Sequence, residues 1–186
     1  MRIVAGKYRG KQLTSPSDDT IRPTSDRARE SIFNILGSRL GPVLAGKRVL
    51  DLFAGTGALG LEALSRGADH VTFVDTGAEA RGLIRDHIEA FGAAGITKLL
   101  RRDATALGKP GTFGQFDLIF LDPPYSKGLG QLALAELSAN GWIAPGATVV
   151  WEESADADIA VPTGFTLEDG RNYGAATVRF LSWAGR

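Results

Sequence analysis

The sequence predicts an α/β fold built on a mostly parallel sheet with helices on both faces. Three observations predict it. From Lys47 onward, short apolar runs alternate with amphipathic stretches of helix length. A glycine turn joins the first of those runs to the first of those helices. The last two strand-like runs are too close together for a crossover helix, so they fold back as an antiparallel hairpin.

Residues 2–14 are short and basic, with Gly6 and Gly10 on either side of Tyr8, which predicts a twisted hairpin or extended arm. Ser15-Pro16-Ser17-Asp18-Asp19 reads as a polar loop. Thr24-Ser25-Asp26 is an N-cap cluster, and Ala28, Ile32, Phe33, Ile35, Leu36 and Leu40 follow at helical spacing up to Gly41-Pro42. This is an amphipathic helix with a basic outer edge. Beyond it come strand 48–53, helix 58–65, strand 70–75, helix 78–91, strands near 98–102 and at 116–121, helix 129–139 and strand 147–152. Segments 165–169 and 177–183 complete a seven-stranded sheet as the terminal hairpin, turning around 170–174. The chain divides into an N-terminal extension of hairpin and helix, 1–45, and a main domain, 46–186.

The 186 residues are long enough to bury a full core without staples, and there is no Cys to form a disulfide or a thiol nucleophile. The two His, His70 and His87, lie far apart in sequence, so no metal is expected. No apolar run approaches a membrane span of ~18 residues, and the first residues carry charges but no apolar signal region. A soluble, cytoplasmic protein acting as a monomer away from membranes is the expectation. The net charge of zero hides an asymmetry: residues 1–48 carry ten Lys and Arg against four acids, so the leader is +6 and the remainder −6. A basic leader on an acidic body points to a polyanionic partner or to a solvated surface.

Two loops carry chemistry. In Asp51-Leu52-Phe53-Ala54-Gly55-Thr56-Gly57-Ala58-Leu59-Gly60, a glycine turn separates a buried strand from a helix, where a ligand can approach the backbone closely. Asp75, twenty residues after Gly55, ends the next strand, where a carboxylate can accept both hydroxyls of a ribose. Gly55-x-Gly57-x-x-Gly60 alone also fits a dinucleotide fingerprint. Asp51 separates the two cofactors, because a carboxylate beside the loop repels a pyrophosphate and attracts the ammonium of S-adenosylmethionine. Asp103, after the third strand, reads either as an acceptor for an adenine amine, with Ala104 offering its N–H, or as a helix cap.

Asp122-Pro123-Pro124-Tyr125 leaves the fourth strand through two residues that have no N–H. That stiffness fixes the Asp122 carboxylate and nearby carbonyls as acceptors. An exocyclic amine on a purine is a poor nucleophile, and acceptors that hold its protons out of the ring plane expose its lone pair. Tyr125 can stack on the base during an in-line methyl transfer.

These two motifs together resemble the S-adenosylmethionine-dependent amino-methyltransferases of nucleic-acid bases. Residues 2–11 (Arg-Ile-Val-Ala-Gly-Lys-Tyr-Arg-Gly-Lys), Arg22-Pro23-Thr24, Asp26-Arg27, Arg29-Glu30, residues 33–36 (Phe-Asn-Ile-Leu) and Tyr173-Gly174 narrow the resemblance to the bacterial RsmD family. It covers essentially the whole chain. The resemblance implies a Rossmann-like class I methyltransferase fold and transfer of a methyl group to guanine N2 in small-subunit (16S) ribosomal RNA, within a small-subunit particle. It implies cofactor binding by Asp51, Phe53, Ala54, Gly55, Thr56, Gly57, Asp75, Asp103 and Ala104, and catalysis by Asp122, Pro123, Pro124 and Tyr125. The RNA surface would fall on Arg2, Lys7, Arg9, Lys11, Arg22, Thr24 and Arg27. Thr76-Gly77 departs from the family, which places a bulkier residue against the adenine. Rival readings are an adenine-N6 methyltransferase of DNA or RNA, a nicotinamide oxidoreductase and a non-catalytic RNA-binding assembly factor. The first shares both motifs, but only 61 residues follow Tyr125 and the last strands use them.

Overall fold

The computed structural model describes residues 1–17, 21 and 24–185. Its strands form one seven-stranded sheet in the order β3-β2-β1-β4-β5-β7-β6. The chain forms two compact units, Met1–Arg101 and Arg102–Arg186.

In the first unit, β1 (Arg48–Leu52), β2 (His70–Val74) and β3 (Thr97–Leu100) are parallel, with Val49 opposite Val71 and Phe73 opposite Leu99. β1 and β2 are buried at every position after the first, as expected of central parallel strands covered on both faces. Helix α2 (Ala58–Ser65) is buried at every residue, which matches a sequence that is apolar except for Glu62 and Ser65. Helix α3 (Ala78–Ala90) turns Ala80, Ile84 and His87 inward. Helix α1 (Asp26–Leu40) starts where Ser25 accepts a hydrogen bond from the Ala28 N–H, and it stops at Gly41, whose N–H donates to the Gly37 carbonyl.

The buried face of α1 contains Arg29 along with Ile32, Phe33 and Leu36, so the basic edge expected to face outward is partly internal. Arg29 is fully buried because the Glu62 carboxylate of α2 lies 3.2 Å from its Nε and Asp26 lies 2.9 Å from its Nη2. It also donates to the carbonyls of Arg2 and Thr24. The N-terminal arm is a hairpin-like loop with one bridge, Arg2 to Gln12. Its turn docks on the end of α2: Lys7 N–H donates to the Ser65 carbonyl at 2.8 Å, and Ser65 Oγ donates to the Ala5 carbonyl at 2.5 Å. A Cβ on Gly6 would lie 1.9 Å from the Ser65 carbonyl oxygen, so only glycine permits this approach.

In the second unit, β4 (Phe116–Leu121) pairs in parallel with β5 (Ile143–Ser154), and helix α4 (Leu129–Asn140) connects them. β5 pairs antiparallel with β7 (Ala176–Trp183), and β7 with β6 (Phe165–Tyr173). The terminal hairpin is longer than its sequence suggests. A register shift between Leu167 and Asp169 absorbs the breakers Asp169 and Gly170, and residues 170–173 then pair with 176–179. The turn therefore sits at Gly174, with φ +61°, rather than across 170–174. Among the described residues, no helix is long and apolar enough to cross a membrane.

Candidate active site

The first unit brings Asp51, the glycine loop and Asp75 together. β1 ends at Leu52, and Phe53 leaves it with φ +53°, a left-handed conformation that a non-glycine residue adopts only at a cost. Gly55 and Gly57 follow with φ +59° and +78°, which delivers the chain to the start of α2. Asp75 fixes this loop from the neighbouring strand: its carboxylate accepts from the Gly55 N–H at 2.9 Å and the Gly77 N–H at 2.7 Å. Asp75 is half-buried, and a carboxylate has about four acceptor sites, so it retains capacity for ribose hydroxyls. A Cβ on Gly60 would sit 2.5 Å from Phe73 and 3.0 Å from the Asp51 carboxylate, so this glycine sets how closely α2 lies on the sheet.

Asp51 is 1% exposed and accepts from the Gly60 N–H at 3.0 Å. Burial pushes its carboxyl up to about 8, against the Gly60 hydrogen bond and helped by the negative charge of Asp75. A buried acid of this kind is complemented by a cationic group, and the amino-acid tail of S-adenosylmethionine carries one. A pyrophosphate would bring two further negative charges beside Asp75 and would press Asp51 to keep its proton, whereas an ammonium lets Asp51 ionise, so the residues present fit the sulfonium cofactor and not a dinucleotide.

The proton on Asp51 has a consequence for stability. Because its folded value lies above its unfolded one, the folded state holds a proton that the unfolded state has released between about pH 4 and pH 8. The unliganded protein loses stability as pH rises through that window. We expect Asp51→Asn to lack this loss, so that urea midpoints of parent and variant diverge from pH 5 to pH 8 in favour of the variant. Parallel midpoints would show that Asp51 ionises freely.

Two residues that the sequence did not place in the site, His87 and Ile21, also meet the glycine loop. His87 of α3 donates from Nδ1 to the Thr56 carbonyl, 2.9 Å away, because its Nε2 accepts from the Thr14 N–H at 2.9 Å. Burial lowers the His87 pKa, consistent with this neutral ring. His87 recurs with Ile84 and Phe91 on one helical face, the pattern that could have flagged it. Ile21 lies above Gly55, where an added Cβ would meet its Cγ2 at 3.1 Å. Glu79, at the start of α3, accepts from the Ser17 N–H at 2.7 Å.

In the second unit, Asp122 and Tyr125 are half-buried, Pro123 is buried and Pro124 exposed. Tyr125 donates its phenol proton to Glu152 Oε1 at 2.5 Å. Ser126, at φ +60°, donates its N–H to Glu153 at 2.8 Å, and Glu153 is 2% exposed. The loop is thus held by two adjacent acids at the end of β5, a pair whose place in an apolar strand was the available signal. Asp103 accepts from the Thr105 N–H at 2.8 Å and its hydroxyl at 2.7 Å, bonds that lower its pKa and make it the cap of a turn. Ala104 is buried.

The basic positions differ in availability. Arg9 and Arg27 are exposed, and the Arg2 side chain is 67% exposed with Asp26 at 3.9 Å. Lys11 Nζ donates to the Ala90 carbonyl at 3.0 Å and sits 5.0 Å over the Phe91 ring, so it fastens the arm to α3. Lys7 lies 4.8 Å over Tyr8. Thr24 is half-buried. Arg22 lies outside the described residues.

The sequence profile of a family described as Conserved hypothetical protein 95 matches residues 1–182. The chain belongs to this family, the RsmD family. Among RsmD relatives, "Ribosomal RNA small subunit methyltransferase D" of Escherichia coli strain K12 is 35% identical over 182 residues, 96% of this chain and 88% of the relative. The protein of the same name from Haemophilus influenzae is 32% identical over 181 residues, 96% and 92% of the two chains. The solved structure of yhhF from Escherichia coli matches with a TM-score of 0.84 at 31% identity, covering 100% of this chain and 99% of that one. The RsmD chain described here has the class I methyltransferase fold expected from its motifs.

Proposed function

We propose that this chain transfers a methyl group from S-adenosylmethionine to the exocyclic N2 amine of a guanine in small-subunit ribosomal RNA. The observation that carries the reading is the anchored loop after β4, in which Asp122 follows a buried strand and Tyr125 is tethered through its phenol. The names of the Escherichia coli and Haemophilus influenzae relatives support the substrate class. Asp75, Phe53, Ala54, Gly55, Thr56 and Gly57 hold the nucleoside side of the cofactor, and Asp51 answers its ammonium. Asp103 and Ala104 serve the adenine. When bound, S-adenosylmethionine supplies an electrophilic methyl group on a sulfonium.

Asp122 accepts a hydrogen bond from the target amine and turns its lone pair out of conjugation with the ring. Tyr125 stacks on the base, and Pro123 and Pro124 keep the acceptors from relaxing away. Residues 1–45 act as the RNA-binding extension of the catalytic domain 46–186, with Arg2, Lys7, Arg9, Lys11, Arg22, Thr24 and Arg27 along the phosphates. The protein works in the cytoplasm as a monomer, without a metal, on RNA in a small-subunit particle.

Tritiated methyl transfer to small-subunit RNA, free and in assembled subunits, tests this reading. Label is expected in N2-methylguanine, and its absence from both substrates overturns the function. If about four cations contact single-stranded phosphates, log affinity falls with log salt at a slope near −3, at about −0.7 per contact. Replacing Arg9 and Arg27 with alanine should flatten that slope by about 1.4. An unchanged slope would make these residues part of a solvated surface.

A further inference from the structure

The acceptor loop explains how an amine is activated but not why a guanine is chosen. The same four residues would serve an adenine amine. Guanine differs beside its reactive N2: the adjacent ring nitrogen N1 carries a proton, whereas N1 of adenine is an acceptor. A selective site therefore needs a second acceptor next to the one that holds the amine.

β4 and β5 supply that position. Leu121 is paired in parallel register with Trp151, so Asp122 and Glu152 each lie one residue beyond a matched pair, on neighbouring strands about 4.8 Å apart. Glu152 also meets the aromatic that would carry the base, since Tyr125 Oη is 2.5 Å from its Oε1. The carboxylate is thus tied to the phenol edge of the stacking ring. A carboxylate accepts up to about four hydrogen bonds, and the phenol is one of the donors to this one. Glu153, the next residue, points to different work: it is 2% exposed and accepts from the backbone N–H groups of Ser126 and Ser154.

We propose that Glu152 accepts the N1–H of the target guanine and thereby selects guanine over bases that lack this proton. The inference rests on the guanine-N2 reading above. Opposite adenine, the Glu152 carboxylate would face the N1 lone pair, so two acceptors would repel. The hydrogen bond from Tyr125 holds the carboxylate in place, and Glu153 fixes the loop without reading the base.

The probe is RNA carrying 2-aminopurine at the target nucleotide, which keeps the N2 amine and lacks the N1 proton. For the parent, kcat/KM on guanine should exceed that on 2-aminopurine by ~100-fold, the scale of losing one hydrogen bond to a charged acceptor. Glu152→Gln retains a carbonyl to accept from Tyr125, and it should lose most of its rate on guanine, bringing the ratio to within ~5-fold of unity. Glu153→Gln should slow both substrates in proportion and leave the ratio at its parental value. If Glu152→Gln also lowers both rates in proportion, or if the parent uses 2-aminopurine as well as guanine, the selection role is overturned while the methyltransferase reading stands. A parent that transfers to neither base overturns both.

Discussion

Asp122→Ala lowers methyl transfer by ~100-fold or more, the scale of removing one preorganised polar group from a transition state. Affinity for S-adenosylhomocysteine is expected to stay within about threefold of the parent, because the proposed cofactor site rests on Asp51 and Asp75 of the first unit. The size follows from the arrangement of the loop. Leu121 is buried at the end of β4 before Asp122, and after it Pro123 is buried and Ser126 is bonded to Glu153, so the chain on either side of Asp122 is fixed before substrate arrives. An acceptor held in this way contributes without reorganising during the reaction, and a water that replaces it must be ordered. Single-turnover transfer on saturating RNA, with calorimetry on the cofactor product, separates the two quantities. A variant with parental turnover would make the motif a stiff exit from β4, and one that loses cofactor affinity equally would make Asp122 part of that pocket.

Much of this fold is legible because its signals are local. The apolar runs of β1 and β2 are nearly continuous, since both faces of those strands are covered, and α2 reads as apolar except for Glu62 and Ser65 for the same reason. The glycine loop and the Asp-Pro-Pro-Tyr turn are local too, because each records what a few backbone bonds must do at the end of one strand. What stayed hidden depends on partners distant in sequence. Arg29 looks like one more cation on a basic helix until Glu62, thirty-three residues away, appears against it. His87 meets Thr14 and Thr56, separated from it by 73 and 31 residues. Glu152 and Glu153 read as the polar end of a strand, and only the fold shows that they hold residues 125 and 126. The hairpin turn lies away from its compositional signal for a different reason: Gly170 is a breaker by composition, but the shift in register beside it keeps the ladder intact.

Glu62→Ala removes the residue on which most of the N-terminal anchoring converges, and it should destabilise the protein by about 3–5 kcal/mol, the range for breaking a buried ion pair by deleting one partner. Glu62 is fully buried in α2 and accepts from the backbone N–H groups of Val4 at 3.0 Å and Ala5 at 3.1 Å. It also lies 3.2 Å from Arg29 Nε and 3.1 Å from Arg66 Nε. Alanine leaves four donors without this acceptor, one of them on a guanidinium that is fully buried. Asp26 remains beside Arg29 at 2.9 Å, which places the expected loss within the range rather than above it. Glu62→Gln keeps the shape and one carbonyl acceptor but turns an amide donor toward cations, so it should cost less than alanine and more than ~1 kcal/mol. Two readouts distinguish loss of anchoring from general loosening. Urea unfolding gives the global change, with the thermal midpoint falling by roughly 10 °C for a chain of this length. Hydrogen exchange at Val4, Ala5 and Lys7 should accelerate more than at Leu50 and Phe73 in the buried strands, because the arm loses its acceptors first. A Glu62→Ala protein within ~1 kcal/mol of the parent would mean that Asp26 and water replace the carboxylate, and that the arm is held mainly by its seat on Ser65.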